Sequence, residues 1–110
     1  MGLVYLLECT NDDHTVYKIG YTKNTVQKRI KALQTGNSYI IKELCKYETK
    51  YHQKLERAVQ NHYKHHNLNL KGEWYNLELS DITSFISTCE KIEKNFEHLK
   101  DNPFFTFPNS

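Results

Sequence analysis

The sequence predicts one domain of the α/β type, an α+β sandwich in which three helices flank a small, mostly antiparallel sheet. Three observations favour this class. The chain has 110 residues, enough for one hydrophobic core but not for two. Short apolar runs alternate with segments whose apolar residues recur at helical spacing. No repeat, low-complexity tract or flexible linker interrupts this pattern, so we expect one domain over residues 1–100.

The chain begins with a predicted hairpin. Residues 3–9 are rich in Val, Tyr and Leu, which is typical of a buried strand. Turn-forming residues at 10–14 separate it from a second predicted strand at 16–22. A helix follows, with its N-cap within Lys23-Asn24-Thr25 and its end near Gly36.

The rest of the chain continues the alternation of strand and helix. Residues 39–49 predict a third strand, and residues 51–65 carry apolar positions at helical intervals. Residues 72–77 predict a turn and a short strand, after which Ser80-Asp81 caps a long third helix. The predicted order is therefore β-β-α-β-α-β-α.

Residues 101–110 form an aromatic tail outside the predicted domain. Pro103 and Pro108 exclude a helix there, and three phenylalanines stand between them. Because such a cluster is a liability in water, we expect it to lie on a groove of this chain or of a neighbouring copy. A homodimer is therefore one arrangement that the sequence leaves open.

Positive charge is concentrated in one segment, although the formal net charge is only +2. Between Asp13 and Glu43 the chain carries six basic residues and no acidic residue. Such a block is what a phosphate-binding surface requires. The lysines predicted to make these contacts are Lys18, Lys23, Lys28 and Lys31. From charge alone, a solvated helix face kept basic for solubility explains the block equally well.

Two further features predict an intracellular protein without a membrane span. No apolar run approaches the ~20 residues that cross a bilayer. The cysteines Cys9, Cys45 and Cys89 are odd in number and far apart, which argues against a disulfide framework and against a CxxC-type metal site. We expect them to be small buried side chains in a reduced compartment, cytoplasm or nucleus.

Short motifs then occur in a specific order along the chain. Val4-Tyr5-Leu6-Leu7 is followed by Tyr17-Lys18-Ile19-Gly20-Tyr21-Thr22 and by Arg29. Leu55-Glu56 lies on the predicted second helix, and Gly72-Glu73-Trp74-Tyr75 precedes the third. Together they resemble the signature of the GIY-YIG endonuclease superfamily, most closely its viral and fungal branch, over about residues 3 to 95. Each motif alone is weak, whereas the set in this order is fairly specific.

The chain departs from the family name at both named motifs. Leu3-Val4-Tyr5 stands where the name has Gly-Ile-Tyr. Lys18 replaces the second tyrosine, with Tyr17 directly before it. Tyr5 and Tyr17 are consequently both candidates for a catalytic tyrosine.

The chemistry of phosphodiester cleavage gives these residues roles. The reaction needs an activated water and a cation that takes up charge in the transition state. A phenol has a free pKa of ~10, so Tyr5 becomes a usable base only beside cations, and Lys18 could supply that charge. By the resemblance, Tyr5 is the general base, Lys18 its helper and Arg29 the cation that stabilises the transition state. The plain alternative for Tyr5 is a half-buried aromatic side chain of a strand.

Glu56 is the predicted ligand of one divalent metal ion. It follows Leu55 on a helix that should pack on the sheet, where a carboxylate is costly unless paired or bound to a metal. One carboxylate with waters and a phosphate oxygen is an ordinary arrangement for Mg²⁺, for which Mn²⁺ is the substitute. An ion pair with Arg57, or with neighbours on the Lys54 side of the helix, is the competing explanation.

Three residues complete the prediction. Gly20 and Trp74 are expected to be structural, Gly20 at a close approach of two strands or of the substrate and Trp74 in the core. Asn76 is a further candidate that could brace a water or Glu56. The leading hypothesis is a metal-dependent endonuclease that hydrolyses DNA phosphodiester bonds. The alternative is a non-catalytic nucleic-acid-binding module that retains the nuclease fold.

Overall fold

The computed structural model describes residues 1–36, 38–66, 68–71 and 74–100. Its elements are β1 (Gly2–Thr10), β2 (Thr15–Thr22), α1 (Val26–Gln34), β3 (Ile40–Thr49), α2 (His52–His65), β4 (Asn69–Lys71), β5 (Trp74–Tyr75), α3 (Leu79–Thr83) and α4 (Phe85–Lys100). The predicted aromatic tail at 101–110 lies outside the described residues, as do Gly72 and Glu73. The domain boundary at residue 100 therefore stays a prediction.

The strands form one sheet in the order β3-β1-β2-β5-β4. Every pairing found among the described residues is antiparallel. β1 lies between β3 and β2, so that Tyr5 faces Lys46 on one side and Gly20 on the other. The prediction of an α+β domain built on a small antiparallel sheet with flanking helices is confirmed.

The pleat of β1 directs alternate side chains into two separate cores. Val4 and Leu6 belong to the larger core, which is completed by side chains of α2 and α4 such as Leu55 and Phe85. The odd-numbered residues of β1, which include Tyr5, belong to a smaller core beneath α1. The sheet thus has an α1 face and an α2 face, and Tyr5 lies on the α1 face.

The structure differs from the prediction after the second helix. The third helix is divided into α3 and α4 at Ser84, whose hydroxyl donates to the Ser80 carbonyl at 2.7 Å. Such local side-chain bonding competes with a continuous helix. The helix also begins about two residues earlier than expected, because Glu78 and Asp81 form a capping box. β4 was not predicted, since three residues carry too little pattern to identify a strand.

The three cysteines are buried or partly buried, as the sequence predicts. Cys9 and Cys89 are buried, Cys45 is partly buried, and all three are free thiols. Burial raises the pKa of Cys9 to about 11 and that of Cys89 to about 12, so both stay protonated at neutral pH. Within the described part of the chain, no helix has the length and apolarity that crossing a membrane requires.

Candidate functional site

Tyr5 and Arg29 meet on the α1 face of the sheet. Tyr5 lies on the central strand and its side chain is 1% exposed. Arg29 lies on the exposed side of α1, and its Nε–H donates to the phenolic oxygen of Tyr5 at 3.2 Å. The hydroxyl of Thr25 accepts from the backbone N–H of Lys28 and so fixes the start of α1. β1 and α1 thereby hold the Arg29 guanidinium against the Tyr5 phenol, although the two residues are 24 positions apart in the sequence.

Gly20 provides the space in which the Tyr5 phenol lies. The two residues are partners across β1 and β2. A Cβ at Gly20 would lie 2.6 Å from Cζ of Tyr5 and closer still to its hydroxyl oxygen. Real Cβ atoms do not come this close to a ring, so any side chain at Gly20 would displace the phenol. This close approach of the phenol explains why position 20 is a glycine.

Lys18 places a buried cation on the same face. It follows Val16 of the smaller core by two positions along β2, and its side chain is 8% exposed. Its Nζ lies 5.4 Å from the centroid of the Trp74 ring, within the range of a cation–π interaction. Trp74 in turn stacks on Tyr39 with the ring centroids 5.9 Å apart. Trp74 packs against the smaller core at its partly exposed margin.

Helix α2 contacts β2 on both sides of Gly20, from the α2 face of the sheet. The imidazole of His52 lies 5.4 Å from the Tyr21 ring, centroid to centroid. Two turns later, Nε2 of Gln60 donates to the carbonyl oxygen of Ile19 at 2.9 Å. These two contacts dock one stripe of α2 along the β2 segment Ile19–Tyr21.

Glu56 occupies the middle of this stripe. It is one helical turn from His52 and one from Gln60, so the three side chains leave α2 on one side. Glu56, which is half-buried, therefore leaves α2 between the side chains that contact Tyr21 and Ile19. Among the described residues, β5 pairs with β2 only at Tyr17 and Lys18, and the carbonyl of the next residue, Ile19, accepts from Gln60 of α2. His52 and Gln60 were not singled out from the sequence, although their spacing of four on either side of Glu56 was visible there.

Tyr17 lies on the opposite face from Tyr5. It packs against the larger core together with side chains of α2 and α4. Its pKa is raised above the usual 10, first by burial and second by the carboxylate of Glu8. A phenol in this position holds its proton more firmly, and the structure does not bring it to the Tyr5–Arg29 pair.

The remaining predicted site residues are exposed. Lys28 and Lys31 lie on α1, and Lys23 lies in the loop that joins β2 to α1. Asn76 follows β5, and its backbone N–H donates to the Leu68 carbonyl at 2.8 Å. That bond continues the β4–β5 pairing and places Asn76 at the end of β5 that lies away from Gly20.

A metal at this site would have few protein ligands. No group of three or more His, Cys, Asp or Glu side chains that could hold a metal ion occurs in the described ranges. Glu56 is a single hard oxygen donor, which suits Mg²⁺ completed by waters and substrate oxygens. Zinc, by contrast, prefers three or four nitrogen and sulfur ligands from the protein.

The chain matches a family model and not an individual protein. A family model described as the T5orf172 domain matches residues 2–90. Neither the curated proteins nor the solved structures contain a significant match to the chain. The matched range runs from the start of β1 into α4 and includes Tyr5, Lys18, Arg29 and Glu56.

Proposed function

This chain belongs to the T5orf172 domain family, and from that premise we propose that it is a metal-dependent endonuclease that hydrolyses DNA phosphodiester bonds. The family is associated with endonuclease domains, which makes a nuclease or DNA-binding role plausible. The likeness of the chain's own motifs to the GIY-YIG signature supports the more specific assignment.

One observation carries the proposal: the Nε–H of Arg29 donates to the Tyr5 phenol directly over Gly20, at 3.2 Å. A strand tyrosine that served packing alone would not need an arginine from a neighbouring helix, nor a glycine opposite its ring. A guanidinium N–H stabilises negative charge on the oxygen to which it donates. The pair therefore combines a group that can accept a proton with a cation fixed beside it.

Arg29 and Lys18 supply positive charge to the reacting phosphate in this mechanism. Because Nε of Arg29 is committed to Tyr5, a bidentate contact with phosphate oxygens would use the two Nη groups. Lys18 is held by Trp74 and the sheet, so its ammonium is preorganised rather than mobile. Preorganised cations stabilise charge that develops in the transition state without a cost of reorganisation. As the phenolate, Tyr5 accepts the proton of the attacking water and becomes the neutral phenol.

Glu56 would hold one Mg²⁺ or Mn²⁺ ion beside these groups. When bound, such an ion polarises the phosphate and offsets the charge that develops on the leaving oxygen. A half-buried carboxylate on α2, between His52 and Gln60 that contact β2, is consistent with that role. The site suits such an ion because Glu56, water and the substrate would all bind it through oxygen atoms.

A second function is favoured by the burial of Tyr5. A side chain that is only 1% exposed has little access to a water molecule, so Tyr5 would then support Arg29 and not act as a base. In that case the domain binds nucleic acid through Arg29 and the lysines of α1 without cleaving it.

Plasmid cleavage distinguishes the two functions. Supercoiled plasmid is incubated with the wild type, Glu56→Ala and Glu90→Ala in Mg²⁺ or Mn²⁺. Glu90 is an exposed carboxylate of α4 and controls for the loss of one negative charge. We expect nicked or linear product from the wild type and Glu90→Ala but not from Glu56→Ala, which should still bind DNA. Equal cutting by all three proteins would remove Glu56 from the mechanism, and DNA binding without any cutting would favour the non-catalytic module.

A further inference from the structure

A basic cleft lies beside the candidate site. It has a volume of about 590 Å³ and is bounded by the loop after β2 on one side and by the start of α2 on the other. Most of its lining side chains carry positive charge or can acquire it. They are Lys23, Lys50, Tyr51, His52, Gln53, Lys54 and Arg57. None of these lining residues is acidic, and the first turn of α2 likewise contains no acidic residue.

The cations of the cleft come from separate parts of the chain. Lys23 stands on the β2 side, and Lys54 and Arg57 stand on α2. Lys50 forms an ion pair with Glu97 at 3.1 Å, so part of its charge is already balanced. The Lys54 ammonium lies 4.8 Å from the centroid of the Phe96 ring, which holds the side chain without neutralising it. The cleft therefore keeps a positive potential after its internal partners are counted.

The cleft is continuous with the candidate site. Lys23 belongs both to the cleft and to the basic segment that leads into α1. His52 lines the cleft and contacts Tyr21, next to Gly20. Arg57 follows Glu56 directly on α2. A chain of phosphates that crossed the site would thus meet the α1 lysines on one side and this cleft on the other.

We propose that this cleft binds the phosphate backbone of DNA next to the scissile phosphate, with Lys23, Lys54 and Arg57 as its contacts. The inference rests on the proposed function and names the path of its substrate. A single small anion would need cations that converge on one point, whereas these line opposite walls. Nucleic acid offers a row of closely spaced negative charges that matches such a trough.

Binding measurements with a charge-matched control test the proposal. Lys54 and Arg57 are exposed, as are Lys64 at the end of α2 and Lys91 on α4. The variants Lys54→Gln/Arg57→Gln and Lys64→Gln/Lys91→Gln each remove two positive charges from exposed helical positions. Affinity for a fluorescein-labelled duplex is measured by anisotropy in EDTA, so that metal-dependent cleavage does not interfere. Thermal denaturation verifies that each variant is folded.

We expect the cleft variant to bind DNA at least about tenfold more weakly than the wild type. The slope of log affinity against log salt concentration should fall in magnitude by nearly two, while the control stays close to the wild type. Equal affinities for the two variants would overturn the proposal. Selective loss of binding to phosphatidylserine vesicles, with DNA affinity unchanged, would overturn it in favour of a lipid surface. Competition by millimolar inorganic phosphate that abolishes the difference would overturn it in favour of a small anion. Because cleavage is not measured, a failure of the endonuclease assignment would appear only in the plasmid assay.

Discussion

The guanidinium of Arg29 donates from Nε to the phenolic oxygen of Tyr5 at 3.2 Å and so connects helix α1 to the central strand of the sheet. The phenol fits there because Gly20, its partner on β2, has no side chain. Tyr5 of β1, Gly20 of β2 and Arg29 of α1 thus together hold a phenol and a guanidinium in contact.

Tyr5→Phe should abolish most cleavage and lower the melting temperature by only a few degrees, because the ring keeps its packing and only the hydroxyl is lost. The hydrogen bond from the exposed Arg29 contributes on the order of 1 kcal/mol to stability. The matched control is Tyr17→Phe, which lies on the α2 face and whose raised pKa disfavours a phenolate. Initial rates of plasmid nicking and thermal denaturation measure both effects. A fully active Tyr5→Phe protein, or an inactive Tyr17→Phe protein, would contradict the assignment of Tyr5 as base.

Arg29→Ala should lower the cleavage rate by about 10³-fold, because a cation that stabilises transition-state charge is removed. Arg29→Lys should recover little of this rate, since an ammonium cannot reproduce both the bond to Tyr5 and a planar contact with phosphate. Single-turnover rates at saturating DNA separate this effect from weaker binding. A lysine variant close to the wild-type rate would reduce Arg29 to a general phosphate contact.

Gly20→Ala should destabilise the fold by about 1–3 kcal/mol and also impair cleavage, because the new methyl group overlaps the Tyr5 phenol. Gly36→Asn provides the comparison. Gly36 has φ 72° with nothing within 4 Å, a conformation that asparagine tolerates. Urea unfolding of both variants gives the two free energies. A Gly20→Ala protein of wild-type stability would show that β2 and Tyr5 can separate without cost.

Stability should fall as the pH rises above 9, because the cysteines ionise more readily in the unfolded chain. Burial raises the pKa of Cys89 from 9.0 to about 12, so its contribution is fully present below pH 9 and is lost as pH rises towards 12. Cys9, with a pKa raised to about 11, acts in the same direction. Melting temperatures between pH 7.5 and 10.5 should decline less steeply in Cys89→Ala than in the wild type. Equal declines in melting temperature for the two proteins would show that ionisation of the Cys89 thiol does not cause the loss of stability in this pH range.

Local sequence patterns predicted most of the elements correctly. Alternating and helical periodicities located β1, β2, α1, β3 and α2 to within a few residues, because each of these elements buries one face of its own. The same patterns did not predict β4, nor the division of the third helix at Ser84. Those features depend on a three-residue pairing with β5 and on a hydroxyl that bonds to a nearby carbonyl.

By itself, the sequence determined the fold class and the residue types from which a phosphodiester-cleaving site could be built. Only the tertiary structure decided which of them lie together. Tyr5 and Tyr17 are equivalent as strand tyrosines in the sequence, but the pairing of β1 with β2 and the pleat place them on opposite faces. The position of Glu56 was likewise decided by tertiary contacts. His52 and Gln60 of α2 contact residues of β2 that are distant from them in the sequence. Periodicity shows that a residue is on one face of its own element, whereas packing between elements decides which face of the molecule that becomes.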